Sequence, residues 1–230
     1  MTSALDALRS SIGAKLVMAV TGIVLLLFVI GHLLGNLQVF LGPEALNHYA
    51  RKLHSVPRLL WILRLGLIAC VLLHILAAIR VAILNRTARP QRYVKLRAQA
   101  ASWTARTLQL SGGAIALYVV YHLMHFTFRN VHTQYVHEVE GHVDVYSMVV
   151  GSFQQPGIAL VYTLSMVLLG LHLSHGIGGF LQTLGVGHPR YSKNLRWLGP
   201  VLATLLTLGY ISIPVAVLLG LVAPPAGGGP

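Results

Sequence analysis

The sequence predicts an all-α membrane protein built on five transmembrane helices, and two observations carry that expectation. The 230 residues are 55% hydrophobic and only 10% charged, where an average soluble domain carries about 25% charge. The mean hydropathy is +0.71. A hydrocarbon core about 30 Å thick needs about 20 mostly apolar residues as helix, and five stretches meet that length. The composition excludes a disordered chain and an ordinary soluble globule.

The first stretch runs from Ala14 to Leu41, the second from Pro57 to Leu84, and the third from Thr107 to Phe128. The fourth runs from Pro156 to Leu184 and the fifth from Leu198 to Val222. Together they make one domain, residues 14–222. The apolar run of the first stretch is too long for a signal peptide, and no A-x-A-like site follows it. Residues 1–13 read as a short amphipathic segment at the membrane interface, with Leu5, Leu8 and Ile12 on one face. Residues 223–230, rich in Pro and Gly, read as a disordered tail. The gaps at 85–106 and 129–155 read as loops.

The formal net charge of +12 sorts by side. Arg9, Lys15, Arg80, Arg86, Arg89, Arg92, Lys95, Arg97, Arg106, Arg190, Lys193 and Arg196 fall on one side of the bundle. Arg51, Lys52, Arg58, Arg64 and Arg129 fall on the other. Cytoplasmic loops collect Lys and Arg, so the N-terminus is expected inside and the C-terminus outside. The excess is then a matter of topology, and no nucleic-acid surface is implied. The single cysteine, Cys70, excludes a disulfide framework and a cysteine-cluster metal site.

Twelve histidines are many for so apolar a chain. Ionisable side chains inside a span are costly and default to a functional reading. His32 and His122 lie in the outer halves of spans one and three. His74 and His172 lie at or past the middle of spans two and four, towards the cytoplasm. Two imidazoles at one depth on facing helices can hold haem iron between them. His32 with His122 would hold an outer haem b, and His74 with His172 an inner one. At a rise of 1.5 Å per residue the two irons would lie on the order of 10–15 Å apart along the membrane normal. His125 and His175 follow at i+3 and compete for the ligand role. A non-haem metal site ranks below haem because such sites recruit carboxylates, and no Asp or Glu lies inside a span. Lys15 and Arg106 at the inner interface and Arg129 at the outer are candidates for haem propionates. The remaining histidines (His48, His54, His132, His137, His142, His188) read as loop residues. No internal repeat stands out, which counts against a transporter.

Four fragments carry a family resemblance: GHLLGN around His32, LLHILAAIRVA around His74, SGGAIALYVVYH ending at His122, and LHLSHG holding His172. In this order, over about residues 10–222, they resemble the five-helix, di-haem cytochrome b membrane subunit of succinate dehydrogenase and fumarate reductase. The resemblance implies a subunit that anchors a flavoprotein and an iron–sulfur subunit at the cytoplasmic face of a bacterial inner membrane. It implies electron transfer to or from a quinone, usually menaquinone, by way of two b haems, with the dicarboxylate chemistry outside this chain. It implies the same four ligands in the same pairs. Two departures stand out. Where well-known members carry an acidic quinol-site residue between helices one and two, KLHSVP offers His54, an imidazole that can also exchange a proton near neutral pH. Where some fumarate reductases carry a proton-transferring glutamate on helix four, this chain has Gly170. A cytochrome b subunit of a hydrogenase or formate dehydrogenase shares the bundle and the bis-histidine ligation, and is told apart by its partners.

Overall fold

The computed structural model describes residues 10–87, 108–139, 141–186 and 192–224. Helix α1 spans Ser11–Asn36. Ser10 starts it, its side-chain oxygen accepting from the Gly13 N–H at 3.0 Å, which satisfies one of the orphan donors of a helix N-terminus. Residues 11–13 therefore open the first span rather than close a separate interfacial segment. Residues 1–9 of that segment lie outside the described residues, as does the tail from residue 225. A 3-10 turn, Leu37–Leu41, follows and stops at Gly42. The Gly42 φ of 95° suits glycine alone.

Helix α2 is Pro43–His54, with Pro and Glu44 in its first turn and Arg51, Lys52 and His54 in its last. That placement suits the helix dipole at both ends. Helix α3 is Pro57–Thr87 and α4 is Leu108–His122. A π-helical turn, Leu123–Thr127, prolongs α4, closed by the Phe128 N–H on the Leu123 carbonyl at 2.7 Å. Two short strands, β1 (Glu138–Val139) and β2 (His142–Val143), pair antiparallel. Then come α5 (Val145–Phe153), α6 (Pro156–Thr183) and α7 (Ser192–Leu218).

Among the described residues, four segments are long and apolar enough to cross a membrane: Ser11–Leu41, Pro57–Thr87, Pro156–Thr183 and Leu195–Leu218. The third expected span differs from these. Its α-helical part has 15 residues and the π turn adds five. As regular α-helix it is shorter than the about 20 residues a bilayer asks for.

Helix α1 packs on α3, α4 on α6, and α6 runs along α7. Small residues let the last pair close up. A Cβ at Gly170 would run into Thr207 of α7, and one at Gly199 would meet the Ser174 carbonyl of α6 at 2.6 Å. Helix α3 buries only Ala77. Leu59, Ile62, Leu65, Leu72, Leu76 and Ile79 stand exposed on it, and lipid tails suit them as well as a protein core would.

The outer connections, expected as loops, are structured. We call outer the end of the bundle opposite the start of α1. There Asn47 of α2 donates its amide to Asp144 at 2.7 Å and accepts the Tyr146 N–H at 3.0 Å. Asp144 in turn caps α5 through the Ser147 N–H at 3.0 Å and the Ser147 hydroxyl at 2.6 Å. Val39, Leu46, Val150, Phe153, Tyr162 and Val217 form the core beneath this cap. Helices arise where loops were expected because proline starts α2, a carboxylate starts α5, and each has an apolar face to bury.

Candidate functional site

His32, His74, His122 and His172 come together as two pairs. The rings of His32 on α1 and His122 on α4 have centroids 5.8 Å apart, with planes at 84°. The rings of His74 on α3 and His172 on α6 are 6.4 Å apart, at 65°. Two metal–imidazole bonds of about 2.0 Å, with about 1.1 Å from each nitrogen to its ring centre, give about 6.2 Å between centroids. Both pairs come close to the spacing at which two imidazoles could hold one haem iron between them. Open space lies where a side chain would stand at Gly31, Gly113 and Gly176, each within four residues of one of these rings or nine of His122.

The inner pair is held by hydroxyl groups. Thr21 Oγ1 of α1 lies 3.1 Å from His74 Nδ1, and Ser111 Oγ of α4 lies 3.4 Å from His172 Nδ1. Glycine follows each hydroxyl residue, and a Cβ on Gly22 or Gly112 would stand 3.3 Å from Cε1 of His74 or His172 respectively. These supporting residues escape a search for histidines alone. The signal was present in the sequence as hydroxyl–Gly with histidine eleven residues after the hydroxyl: Thr21-Gly22…His32 and Ser111-Gly112…His122. Eleven residues make just over three helical turns, so hydroxyl and histidine share a face, about 16 Å apart along the axis. That offset slightly exceeds the spacing expected between the two depths.

The two stretches are in fact copies of one pattern, 21–34 and 111–124. Gly22, Leu27, Val29, His32 and Leu33 recur as Gly112, Leu117, Val119, His122 and Leu123. Phe28 and Tyr118, four residues before each outer histidine, lie against it with centroids at 5.2 and 5.8 Å. The repeat hides behind conservative exchanges such as Thr for Ser and Phe for Tyr, and becomes visible when the pairs are seen in space.

The outer pair sits among aromatic rings. Tyr210 of α7 has its centroid 6.3 Å from His32, and its hydroxyl donates to the Val29 carbonyl at 2.7 Å. Phe126 and Tyr162 flank His122 at 5.6 and 6.0 Å. His122 Nδ1 is buried and without a hydrogen-bond partner among the described residues. Such an orphan is costly in a chain left to itself.

Of the rival ligands, His125 is committed elsewhere. It is buried, with Nδ1 2.9 Å from the Tyr162 hydroxyl and Nε2 2.9 Å from the Ser152 hydroxyl. The π turn puts it there, facing α5 and α6. His175 lies half-buried one turn beyond His172. No group of three or more His, Cys, Asp or Glu converges among the described residues. Each pair offers two imidazoles, the number a bis-histidine haem would take.

His132 is no plain loop residue. It adopts a left-handed φ of 58°, its Nε2 lies 3.0 Å from the Tyr121 hydroxyl, and its ring packs 4.9 Å from His125. Such backbone strain persists only where the surroundings enforce it. A cavity of about 570 Å³ opens beside it, lined by Tyr121, His132, Gln134, Tyr135, Gln155 and Ile158 among others. His54, by contrast, is exposed at the end of α2, its Nδ1 2.8 Å from the Ala50 carbonyl. Lys15 is exposed at the start of α1, and Arg129 is exposed beyond the π turn with φ 55°. Arg106 lies outside the described residues. Gly170 serves the contact with Thr207, so a longer side chain there would part α6 from α7.

In the outer cap, burial raises the Asp144 carboxyl pKa, but the bonds from Ser147 and Asn47 outweigh it and hold the group below the ordinary value. Burial also pushes the Tyr146 hydroxyl up.

No family model, curated protein or solved structure matches the chain.

Proposed function

We propose that the chain is the di-haem membrane anchor and electron-transfer subunit of a succinate:quinone oxidoreductase, a succinate dehydrogenase or fumarate reductase. One observation carries the reading: four histidines from four helices form two pairs, each at the ring spacing of a single bis-imidazole iron. In this reading the helical stretch 108–127 is the third of five transmembrane segments. His32 and His122 hold one haem b and His74 and His172 the other, and bound haem supplies reversible one-electron chemistry at each pair. Lys15, Arg106 and Arg129 neutralise propionates at the two membrane faces.

Quinone, of the menaquinone type by resemblance, enters at the outer end. The cavity beside Tyr121 offers an apolar wall in Ile158 and hydrogen-bonding groups in Tyr121, His132 and Gln155. Tyr121 and His132 share a hydrogen bond, so either can hold a proton for a quinone oxygen. His54 is the other candidate, an exposed imidazole on the neighbouring connection. The basic inner face docks the iron–sulfur and flavoprotein subunits, with the N-terminus in the cytoplasm and the C-terminus outside.

The test is a reduced-minus-oxidised spectrum of the purified protein, with haem counted per chain. Two b haems and co-purification with a succinate-oxidising flavoprotein are expected. A spectrally silent protein refutes the reading. Co-purification with a hydrogenase or a molybdenum subunit moves the same bundle to another respiratory complex.

A further inference from the structure

We infer that Thr21 and Ser111 are positioning residues that fix the tautomer and donor strength of the inner histidine pair, making the inner site electronically distinct from the outer. The inference rests on the reading of the pairs as haem ligands and goes beyond it in naming what tunes one of them.

The argument is one of proton counting. A hydroxyl has one proton and two lone pairs. The Thr21 hydroxyl donates its proton to the Val17 carbonyl, at 2.7 Å, the shorter of its two backbone contacts. Ser111 donates to the Leu108 carbonyl at 3.1 Å. Each oxygen is then left as an acceptor towards the imidazole beside it. With the hydroxyl protons on those carbonyls, His74 and His172 carry their proton on Nδ1, since the other tautomer would set two lone pairs against each other. Nε2 of each ring is left as the free electron pair, the form a metal takes. An Nδ1–H that donates a hydrogen bond also makes the ring a stronger electron donor.

Glycine completes the support. Gly22 and Gly112 floor the two rings at Cε1, and the same hydroxyl–Gly step serves both halves of the repeat. Two independent occurrences of one device, each reaching across to a histidine of another helix, are unlike the incidental bonding of a threonine within its own helix. The outer pair lacks the device at His122, whose Nδ1 is buried without a partner. Each of α1 and α4 thus carries an outer ligand and an inner support three turns apart.

The experiment is a potentiometric titration, followed by optical and electron paramagnetic resonance spectra, of the intact protein with Thr21→Val, Ser111→Ala and the conservative Thr21→Ser. A weaker donor stabilises ferric iron less. The ferric-to-ferrous ratio of the inner haem at a fixed potential is expected to fall about tenfold in Thr21→Val, an upward shift of about 59 mV for one electron. Ser111→Ala, which removes the longer bond, shifts it the same way by less. The outer haem is expected to stay put, and Thr21→Ser to return the inner haem to its original value. Loss of the inner haem in Thr21→Val but not in Thr21→Ser also supports the inference. Two haems retained with the inner potential unmoved, or both haems moving together, overturns it while leaving the proposed function intact. An unsubstituted protein without haem overturns both.

Discussion

The repeat on α1 and α4 supplies the histidines of the outer pair and the hydroxyl supports of the inner pair, and the two pairs stand in different surroundings. The inner rings are gripped by hydroxyls and floored by glycines from a facing helix. The outer rings are packed by Phe28, Tyr118, Phe126, Tyr162 and Tyr210, and His122 keeps a buried nitrogen unbonded. The lesson is that a duplicated ligand motif does not fix the character of its site. The orientation of a ring comes from its neighbours, and polar neighbours constrain a tautomer where aromatic ones constrain only a plane.

The strongest way to break the comparison is to remove ligands. His122→Ala is expected to lower haem content from two per chain to one and leave the inner spectrum in place. His172→Ala is expected to do the converse. Pyridine haemochrome counts and low-temperature difference spectra read both, and loss of both haems in both variants would deny that the pairs are separate sites. Next in size is crowding. In Gly22→Val the added side chain meets His74 Cε1, so inner haem occupancy is expected to fall severalfold with the outer unaffected.

A third variant probes the outer surroundings without touching a ligand. Ser152→Ala leaves the buried His125 Nε2 without its partner, which costs about 1–3 kcal/mol. A lower melting temperature with both haems retained is expected. Loss of a haem would return His125 to the list of ligands. The smallest effect concerns the cap above the outer pair. The Asp144 pKa is held below its ordinary value, so its contribution to stability is complete above that ordinary value and is lost as pH falls through the depressed one. Acid should therefore loosen the α2–α5 contact before the bundle opens. Hydrogen exchange at the Tyr146 and Ser147 amides measures this, and in Asp144→Asn the acid response should vanish.

Much of this arrangement was legible in the sequence. Apolar length located α1, α3, α6 and α7 to within a few residues, because a bilayer imposes one long period that nothing local can counterfeit. Depth alone paired His32 with His122 and His74 with His172, since position along a helix converts directly to height. What the sequence hid was lateral. Which hydroxyl meets which ring depends on how helices are rotated against each other, so Thr21 and Ser111 passed as span residues. The π turn at Leu123–Thr127 has no compositional mark, and it sends His125 to Ser152 and Tyr162 instead of to the bundle axis. The outer helices α2 and α5 are short and partly polar, and the bond between Asn47 and Asp144, 97 residues apart, cannot be read from either neighbourhood.

The interleaving of the pairs has a consequence for biosynthesis. A ribosome delivers the chain from its N-terminus, and segments begin to associate as they emerge. The outer pair needs only α1 and α4, so both of its histidines have been synthesised before α5 is made. The inner pair waits for α6. His74 meets Thr21 early, yet it stands without its partner while almost a hundred further residues are added. If the pairs bind haem as proposed, the outer site is complete first, and a nascent chain stalled after the π turn would already hold both of its histidines.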